Sequence, residues 1–359
     1  MVHRNAVHTG LPIEQQVVDA CAFSARIEQE RPVKLLTGVG AQGDALLRSI
    51  GVLDDLSVEL QRLAVRHVGT RRPEHDSLKL NDRRDRHRVE HEVQRRVHGG
   101  RTRRAYLKNQ VAEQCLDVSF DFKRLDTDLE KGMYFDSSIP MGYGVGSSGA
   151  IVAAIYDRYA DEKVSVLGSL TREKLLALKG QFAIMESHFH GTSSGLDPLN
   201  SYLSLPILIH AKDHVESTPI PSQNQAGKGA VFLLDSGITG ETAPMVQLFM
   251  ENLKNKHFEE VMREQFVQYT DACIDHFLSG NIRSLFSDLR KLSGVVFDHF
   301  KPMIPSNFHD IWQKGLETDT YYLKLCGSGG GGYFLGFTQD LEATKKALEG
   351  HQLEVVYTF

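Results

Sequence analysis

Of the 18 Phe, 11 Tyr and 1 Trp in this chain, Phe23 alone precedes residue 106. Aromatic side chains bury roughly 150–250 Å² each and dominate cores. A folded segment of about 100 residues would normally use several of them, and residues 1–105 hold one. The cations show the same seam. Residues 1–105 hold 17 Arg and 2 Lys, whereas residues 106–359 hold 6 Arg and 16 Lys. Residues 71–104 contain 11 Arg and carry a net charge of +6, from 12 cations against 6 acids. Three readings of this anomalous N-terminal third are open: a further domain, a solvated and poorly ordered basic arm, or a translation out of frame. A nucleic-acid arm fits least, because Asp82, Asp85, Glu90 and Glu92 interrupt its arginines and no aromatic is available for a base to stack on.

The bulk properties exclude several classes. A hydrophobic fraction of 41% and a charged fraction of 24% are ordinary for a globular protein, and the length allows two domains. A net charge of -5 argues against a nucleic-acid or membrane-surface partner, since both select a basic face. Cys21, Cys115, Cys273 and Cys326 lie far apart with no C-x-x-C pair, which is neither a zinc nor a disulfide framework and suits a reducing compartment. No stretch approaches the roughly 20 apolar residues that cross a bilayer, and the N-terminal MVHRNAVHTG lacks a secretory core. A cytoplasmic chain is expected.

Pro32 to Thr37, then Gly38, Gly40 and Gly43, then Leu46, Leu47, Ile50 and Leu53 follow the strand, glycine turn and helix order of a dinucleotide site. The strand is short and no second βαβ unit follows. Asp54 and Asp55 come too early for the ribose-binding acid expected about 20 residues on. A nicotinamide-dependent dehydrogenase is the weaker functional reading.

Past the seam the pattern sharpens. Leu116 to Phe122 alternates apolar and polar residues as a half-buried strand does. A short helix is expected over Lys123–Lys131 and a strand over Met133–Ser138. Then comes Pro140-Met-Gly142-Tyr-Gly144-Val-Gly146-Ser147-Ser148-Gly149-Ala150, running into the apolar helix of Ile151 to Tyr156. Glycines let the backbone approach a ligand closely. Serines at a helix start bring free amides and hydroxyls to the positive end of the helix dipole, which suits a polyphosphate. From Thr171, Leu175, Leu176, Leu178, Phe182 and Met185 describe an amphipathic helix with Glu186 near its end. His188-Phe-His190-Gly-Thr-Ser193-Ser194-Gly-Leu-Asp197-Pro198 follows, with Asp197 expected on a rigid turn. Phosphoryl transfer to an alcohol needs a metal, cations for the phosphates and a carboxylate near the attacking hydroxyl. Taken alone, Asp197 also fits a helix cap and Glu186 a solvated helix end.

In the C-terminal half, Val231 to Asp235 reads as a buried strand, followed by Ser236-Gly-Ile-Thr-Gly-Glu-Thr242 and helical patterns over roughly 244–253, 258–279, 281–299 and 305–317. Strands at Tyr321–Cys326 and Tyr333–Phe337 flank Gly327-Ser-Gly329-Gly330-Gly-Gly332. Five glycines in six residues between two apolar strands point to close backbone approach rather than a linker. A helix over Glu342–Gly350 and a strand over Leu353–Phe359 complete the chain.

These strings resemble the GHMP kinases. Residues 140–150 are similar to their second motif, P-x-G-x-G-L-G-S-S-A, with Val145 for Leu and Gly149 for Ala. The stretch Lys324 to Gly332 is similar to the third motif. Glu186-x-x-x-His190-Gly-Thr-Ser-Ser-Gly-Leu-Asp197 looks like the mevalonate kinase pattern E-x-x-x-H-G-x-x-S-G-x-D. The resemblance implies an α+β, two-domain fold: an S5 domain 2-like ATP-binding domain over residues 106–215 and a ferredoxin-like domain over 228–359, behind the anomalous 1–105. It implies ATP and Mg2+ as cofactors, a small-molecule substrate, no nucleic-acid or membrane partner, and leaves a homodimer open. It assigns ATP contacts to Pro140, Gly142, Gly144, Gly146, Ser147, Ser148, Gly149, Gly327, Gly329 and Gly330. The metal falls to Ser148 and Glu186, the catalytic base to Asp197, and substrate-side positions to His190, Ser194 and Thr242. Mevalonate is the implied acceptor, with phosphomevalonate or a sugar as alternatives. The family's first motif, P-x-K-x-x-L-x-G-E, is only echoed at Pro32 to Gly38, with Val39 in place of the acid. An inactive nucleotide-binding member is therefore also open, and turnover by this chain is not expected from its sequence.

Overall fold

The computed structural model describes residues 67–69, 102–113, 115–131, 133–136, 140–165, 170–190, 193–211, 214–224 and 226–359. The Gly38, Gly40 and Gly43 string and the Pro32 to Gly38 echo lie outside them. Helix and antiparallel strand are mixed, an α+β arrangement, in two compact units.

The first unit comprises described residues within Arg62–Ser138 and Ser148–Leu203. In chain order its elements are β1 (His67–Gly69), α1 (residues 102–112), α2 (Phe122–Glu130), β2 (Tyr134–Asp136), α3 (Ser147–Tyr159), α4 (Arg172–His190) and α5 (Leu196–Leu203). β1 and β2 pair antiparallel. α3 buries Gly149, Ala150, Val152, Ala153, Ala154, Ile155, Tyr156 and Tyr159, which explains why its sequence is apolar on every side. Tyr156 of α3, Phe182 of α4 and Tyr202 of α5 meet edge to face, with ring centroids 5.0, 5.0 and 5.7 Å apart. Such pairs add about 0.5–1.5 kcal/mol each beyond area burial, so this trio fixes the three helices that carry the expected metal and base residues.

The strand expected over Leu116–Phe122 is corrected. Leu116, Val118 and Phe120 are buried while Asp117 and Ser119 are exposed, so the alternation holds. A single bridge between Phe120 and Ala160 is the one pairing the segment makes among the described residues. Alternating burial needs only an apolar surface to lie against. Here the backbone amide of Asp117 donates to Gln181 Oε1 of α4 at 3.1 Å, and the Asp121 carboxylate caps α2 through Arg124 N at 2.8 Å.

Asp128 of α2 is 6% exposed and accepts from Arg158 Nη2 at 2.8 Å and the Tyr159 hydroxyl at 2.9 Å. Burial pushes its pKa up, but these donors outweigh burial and hold it below its ordinary value of 3.8. A carboxylate depressed in the fold stabilises above its unfolded pKa and loses that contribution as pH falls through the folded value. Asp128→Asn is expected to lower the urea midpoint at neutral pH, by about 1–3 kcal/mol in stability. Its curve should converge with the parent's as pH drops below the ordinary carboxylate range. A constant gap at every pH would remove Asp128 as the source.

The second unit takes in Ile139–Ser147 and Ser204–Phe359 among its described residues. After the hairpin of β3 (Ile207–Ala211) and β4 (His214–Ser217) come β5 (Ala230–Asp235), α6 (Thr242–Asn252) and α7 (Lys256–Val261). A π turn at Met262–Phe266 leads into α8 (Val267–Leu278), followed by α9 (Ile282–His299) and α10 (His309–Thr318). The hairpin of β6 (Tyr322–Leu325) and β7 (Tyr333–Thr338), α11 (Leu341–Ala347) and β8 (Leu353–Thr358) close the chain. The four-stranded sheet runs β6-β7-β5-β8, all antiparallel. The first of its strands lies between the third and the fourth, which is the ferredoxin-like order expected for this half. Ala230 to Leu234 of β5 are fully buried, as a central strand covered on both faces requires. The expected helices are present, the second interrupted by the π turn and the fourth preceded by a 3₁₀ turn at Ser306–Phe308.

β6 is an edge strand, and α9 covers its edge. Buried Ser293 accepts from the amide of Leu323 at 3.2 Å and from Trp312 Nε1 at 2.9 Å. Exposed edge donors invite pairing with other chains, so this serine both satisfies and shields the strand. Ser293→Ala should destabilise by about 1–3 kcal/mol, because it strands a buried amide. An unchanged thermal midpoint would contradict the assignment.

Candidate active site

In the second unit three chain segments converge on glycine. The loop of Pro140 to Gly146 takes positive φ at Gly142 (79°), Gly144 (72°) and Gly146 (78°), anchored by buried Val145. A methyl on Gly144 would sit 2.7 Å from the carbonyl oxygen of Cys326, and one on Gly327 would sit 3.2 Å from the Gly144 Cα. The two glycine strings therefore touch backbone to backbone, a distance that any side chain would forbid. Gly240 N donates to Gly142 O at 2.9 Å and Gly332 N to Ile238 O at 2.6 Å, so the segment after β5 completes the cluster. Tyr143 lies against Tyr333 with ring centroids 4.9 Å apart. Gly329 packs on the carbonyl of Met303, and Gly330 N donates to that oxygen at 2.6 Å. Thr242 opens α6 at half exposure, two residues beyond Gly240.

In the first unit the acidic residues gather around α3. Ser148, in the first turn of α3, donates its hydroxyl to Glu186 Oε1 of α4 at 2.9 Å, and Ser193 donates to Glu186 Oε2. Glu186 is 4% exposed, not the solvated helix end that its position allowed. Burial pushes its carboxyl above the ordinary value of 4.5, against the pull of both serines. Ser193 in turn accepts from Gly195 N at 3.0 Å, which holds the hydroxyl in place.

Asp197 does not sit on a turn between elements. It lies in the first turn of α5, with Pro198 behind it. Proline is tolerated in a first helical turn, where its missing N–H has no partner to lose. Gly149 of α3 faces it so closely that a methyl there would lie 2.5 Å from the Asp197 Cβ and 2.7 Å from Pro198 N. The absent side chain of α3 thus sets where the carboxylate of α5 starts. Ser194, expected on the substrate side, accepts from Leu196 N at 3.3 Å at the entry to α5. His190 closes α4, and its side chain lies outside the described residues, as do Gly191 and Thr192. His188 packs on Tyr106 with centroids 5.0 Å apart, and burial followed by nearby Arg103 lowers its pKa, which is a packing role. The residue that sequence reasoning missed is Ser193. Its signal was a hydroxyl seven residues after Glu186, at the break that ends α4.

The GHMP kinases N terminal domain family matches residues 109–204, a span that holds Ser148, Glu186 and Asp197. This segment matches the N-terminal domain of the GHMP kinases. No curated protein matches the chain. Among solved structures, a phosphomevalonate kinase from Streptococcus pneumoniae, in complex with phosphomevalonate and AMPPNP, is 14% identical, with 59% of this chain and 69% of that one covered and a TM-score of 0.43. An L. major mevalonate kinase in complex with R-mevalonate is 17% identical, covering 63% and 70% at a TM-score of 0.45. A mevalonate kinase from methicillin-resistant Staphylococcus aureus is 21% identical, covering 62% and 70% at a TM-score of 0.39. These likenesses are remote and fix neither substrate nor residue roles. What the matched segment contributes chemically rests on its own geometry. No helix among the described residues is long and apolar enough to cross a membrane.

Proposed function

We propose that this chain transfers the γ-phosphoryl group of ATP to a hydroxyl of a small molecule, with mevalonate as the acceptor. The observation that carries the reading is buried Glu186, whose two oxygens receive the hydroxyls of Ser148 and Ser193. Among the described residues the donors to this buried carboxylate are neutral hydroxyls, which leaves it short of positive charge. A hard divalent cation with oxygen ligands supplies that charge, so Glu186 and Ser148 fit Mg2+. Bound there, the ion would neutralise phosphate charge as transfer proceeds.

The chain's own groups divide the remaining work. Ser147 and Ser148 begin α3, where amides and the helix dipole favour the polyphosphate of ATP. Gly142, Gly144, Gly146, Gly149, Gly327, Gly329 and Gly330 are proposed as ATP contacts, because glycine lets the backbone approach a ligand closely. Asp197 accepts the proton of the attacking hydroxyl. The ATP-binding domain is proposed to span 106–215 and the C-terminal domain 228–359, with His190, Ser194 and Thr242 on the substrate side. Acceptor choice draws on the resemblance of Glu186 to Asp197 to the mevalonate kinase pattern, which favours mevalonate over a sugar and leaves phosphomevalonate as the nearest alternative.

The purified 359-residue chain, given ATP, Mg2+ and mevalonate, tests this directly through ADP release. Turnover supports transfer and overturns the expectation of inactivity drawn from the missing first motif. ATP binding by calorimetry without turnover favours an inactive nucleotide-binding protein. Absence of both turnover and ATP binding removes the proposal.

A further inference from the structure

A second cluster of ligating side chains lies on the β3–β4 hairpin. The register pairs Ile207 with Ser217, Leu208 with Glu216 and Ile209 with Val215, then shifts so that Ala211 faces His214. His210 is the extra residue of this bulge, and bulges re-aim the side chains they carry. Ile207, Ile209 and Val215 point into the core at 2%, 3% and 0% exposure. Alternation along the strands puts His210, His214 and Glu216 together on the other face. The His210 and His214 rings lie with centroids 4.4 Å apart, and His210 Nε2 is 2.8 Å from Glu216 Oε1. One ligand atom from each of the three residues falls within 4.8 Å of the others.

We propose that His210, His214 and Glu216 bind one divalent first-row transition ion of the zinc class. Two imidazoles and a carboxylate are the donor set such ions take, with bonds of about 2.0–2.2 Å and a fourth position left to water. Hard ions such as Mg2+ prefer all-oxygen shells, so this site is chemically distinct from Glu186 with Ser148. The hydrogen bond between His210 and Glu216 already orients two of the donors, and the bulge brings both rings to one side. Two half-buried histidines on adjacent strands would then tie β3 to β4 through the ion.

Zinc alone is the probe. The full chain, stripped with a chelator and titrated calorimetrically with Zn2+ in the absence of nucleotide, should bind one equivalent that His214→Gln weakens by more than the roughly 10–100-fold that loss of a partner merely orienting a ligand costs. Glu216→Gln should weaken the same event, and Glu186→Gln should leave it intact. All three positions are read against far-UV circular dichroism to show that the variants fold. Zinc binding that is equal in parent, His214→Gln and Glu216→Gln, or absent from the parent, overturns the proposal. Loss of the event in Glu186→Gln would do so as well.

Discussion

Asp197→Asn is expected to lower ATP-dependent phosphoryl transfer by roughly 10²–10⁴-fold, the range general-base removal commonly produces, while leaving ATP binding unchanged. The change keeps the shape of the side chain and removes its capacity to take a proton. Asp197 stands in the first turn of α5, where the helix end favours an anion. Its backbone lies against Gly149, so an isosteric amide keeps the packing of α3 on α5. ADP release measured with saturating mevalonate, beside calorimetric ATP affinity, separates the two quantities. Turnover equal to the parent's would take Asp197 out of the mechanism. A parallel loss of ATP affinity would make it a structural residue instead.

The other large effect is expected at Gly144. Its φ of 72° and the Cys326 carbonyl 2.7 Å from where a methyl would stand leave Gly144→Ala no relaxed conformation. A left-handed non-glycine residue costs about 1–2 kcal/mol, and overpacking against fixed backbone about 1–3 kcal/mol more. The obstacle is main chain on both sides, since Gly327 packs on the Gly144 Cα from the other string, so no side chain can swing aside. Separation of the two strings should abolish ATP binding and lower the thermal midpoint together. Gly180, with open space where its side chain would be, serves as the control for a plain Gly→Ala change. If Gly144→Ala binds ATP as the parent does, contact between the strings is not needed for the nucleotide.

The elements that sequence pattern located best are those whose burial is continuous. Ala230 to Leu234 is an uninterrupted apolar run because both faces of β5 are covered, and the helix reaching Glu186 shows its period because Leu175, Leu178, Phe182 and Met185 form one buried stripe. The glycine strings were legible because only a backbone contact explains their density. What was not legible depends on partners distant in sequence. Leu116 to Phe120 alternates like a strand yet lies along helices. The bulge at His210 arises from a register shift that no local residue announces. Ser193 and Ser194 are indistinguishable in a string, and only the entry angle of α5 sends one hydroxyl to Glu186 and the other to Leu196 N.

The tight approach of α3 to Asp197 bears on how this chain could be engineered. Consensus design replaces unusual residues with those commonest at a motif position and usually gains stability. At position 149 that procedure would restore the alanine of the general GHMP kinase motif, adding one methyl where 2.5 Å is left before the Asp197 Cβ. The gain in helix propensity, about 1 kcal/mol for alanine over glycine, would be set against displacement of the turn that carries Asp197. Residue 149 and the Asp197–Pro198 pair thus have to be chosen together, and a library that varies them one at a time would reject at each site what it could accept at both.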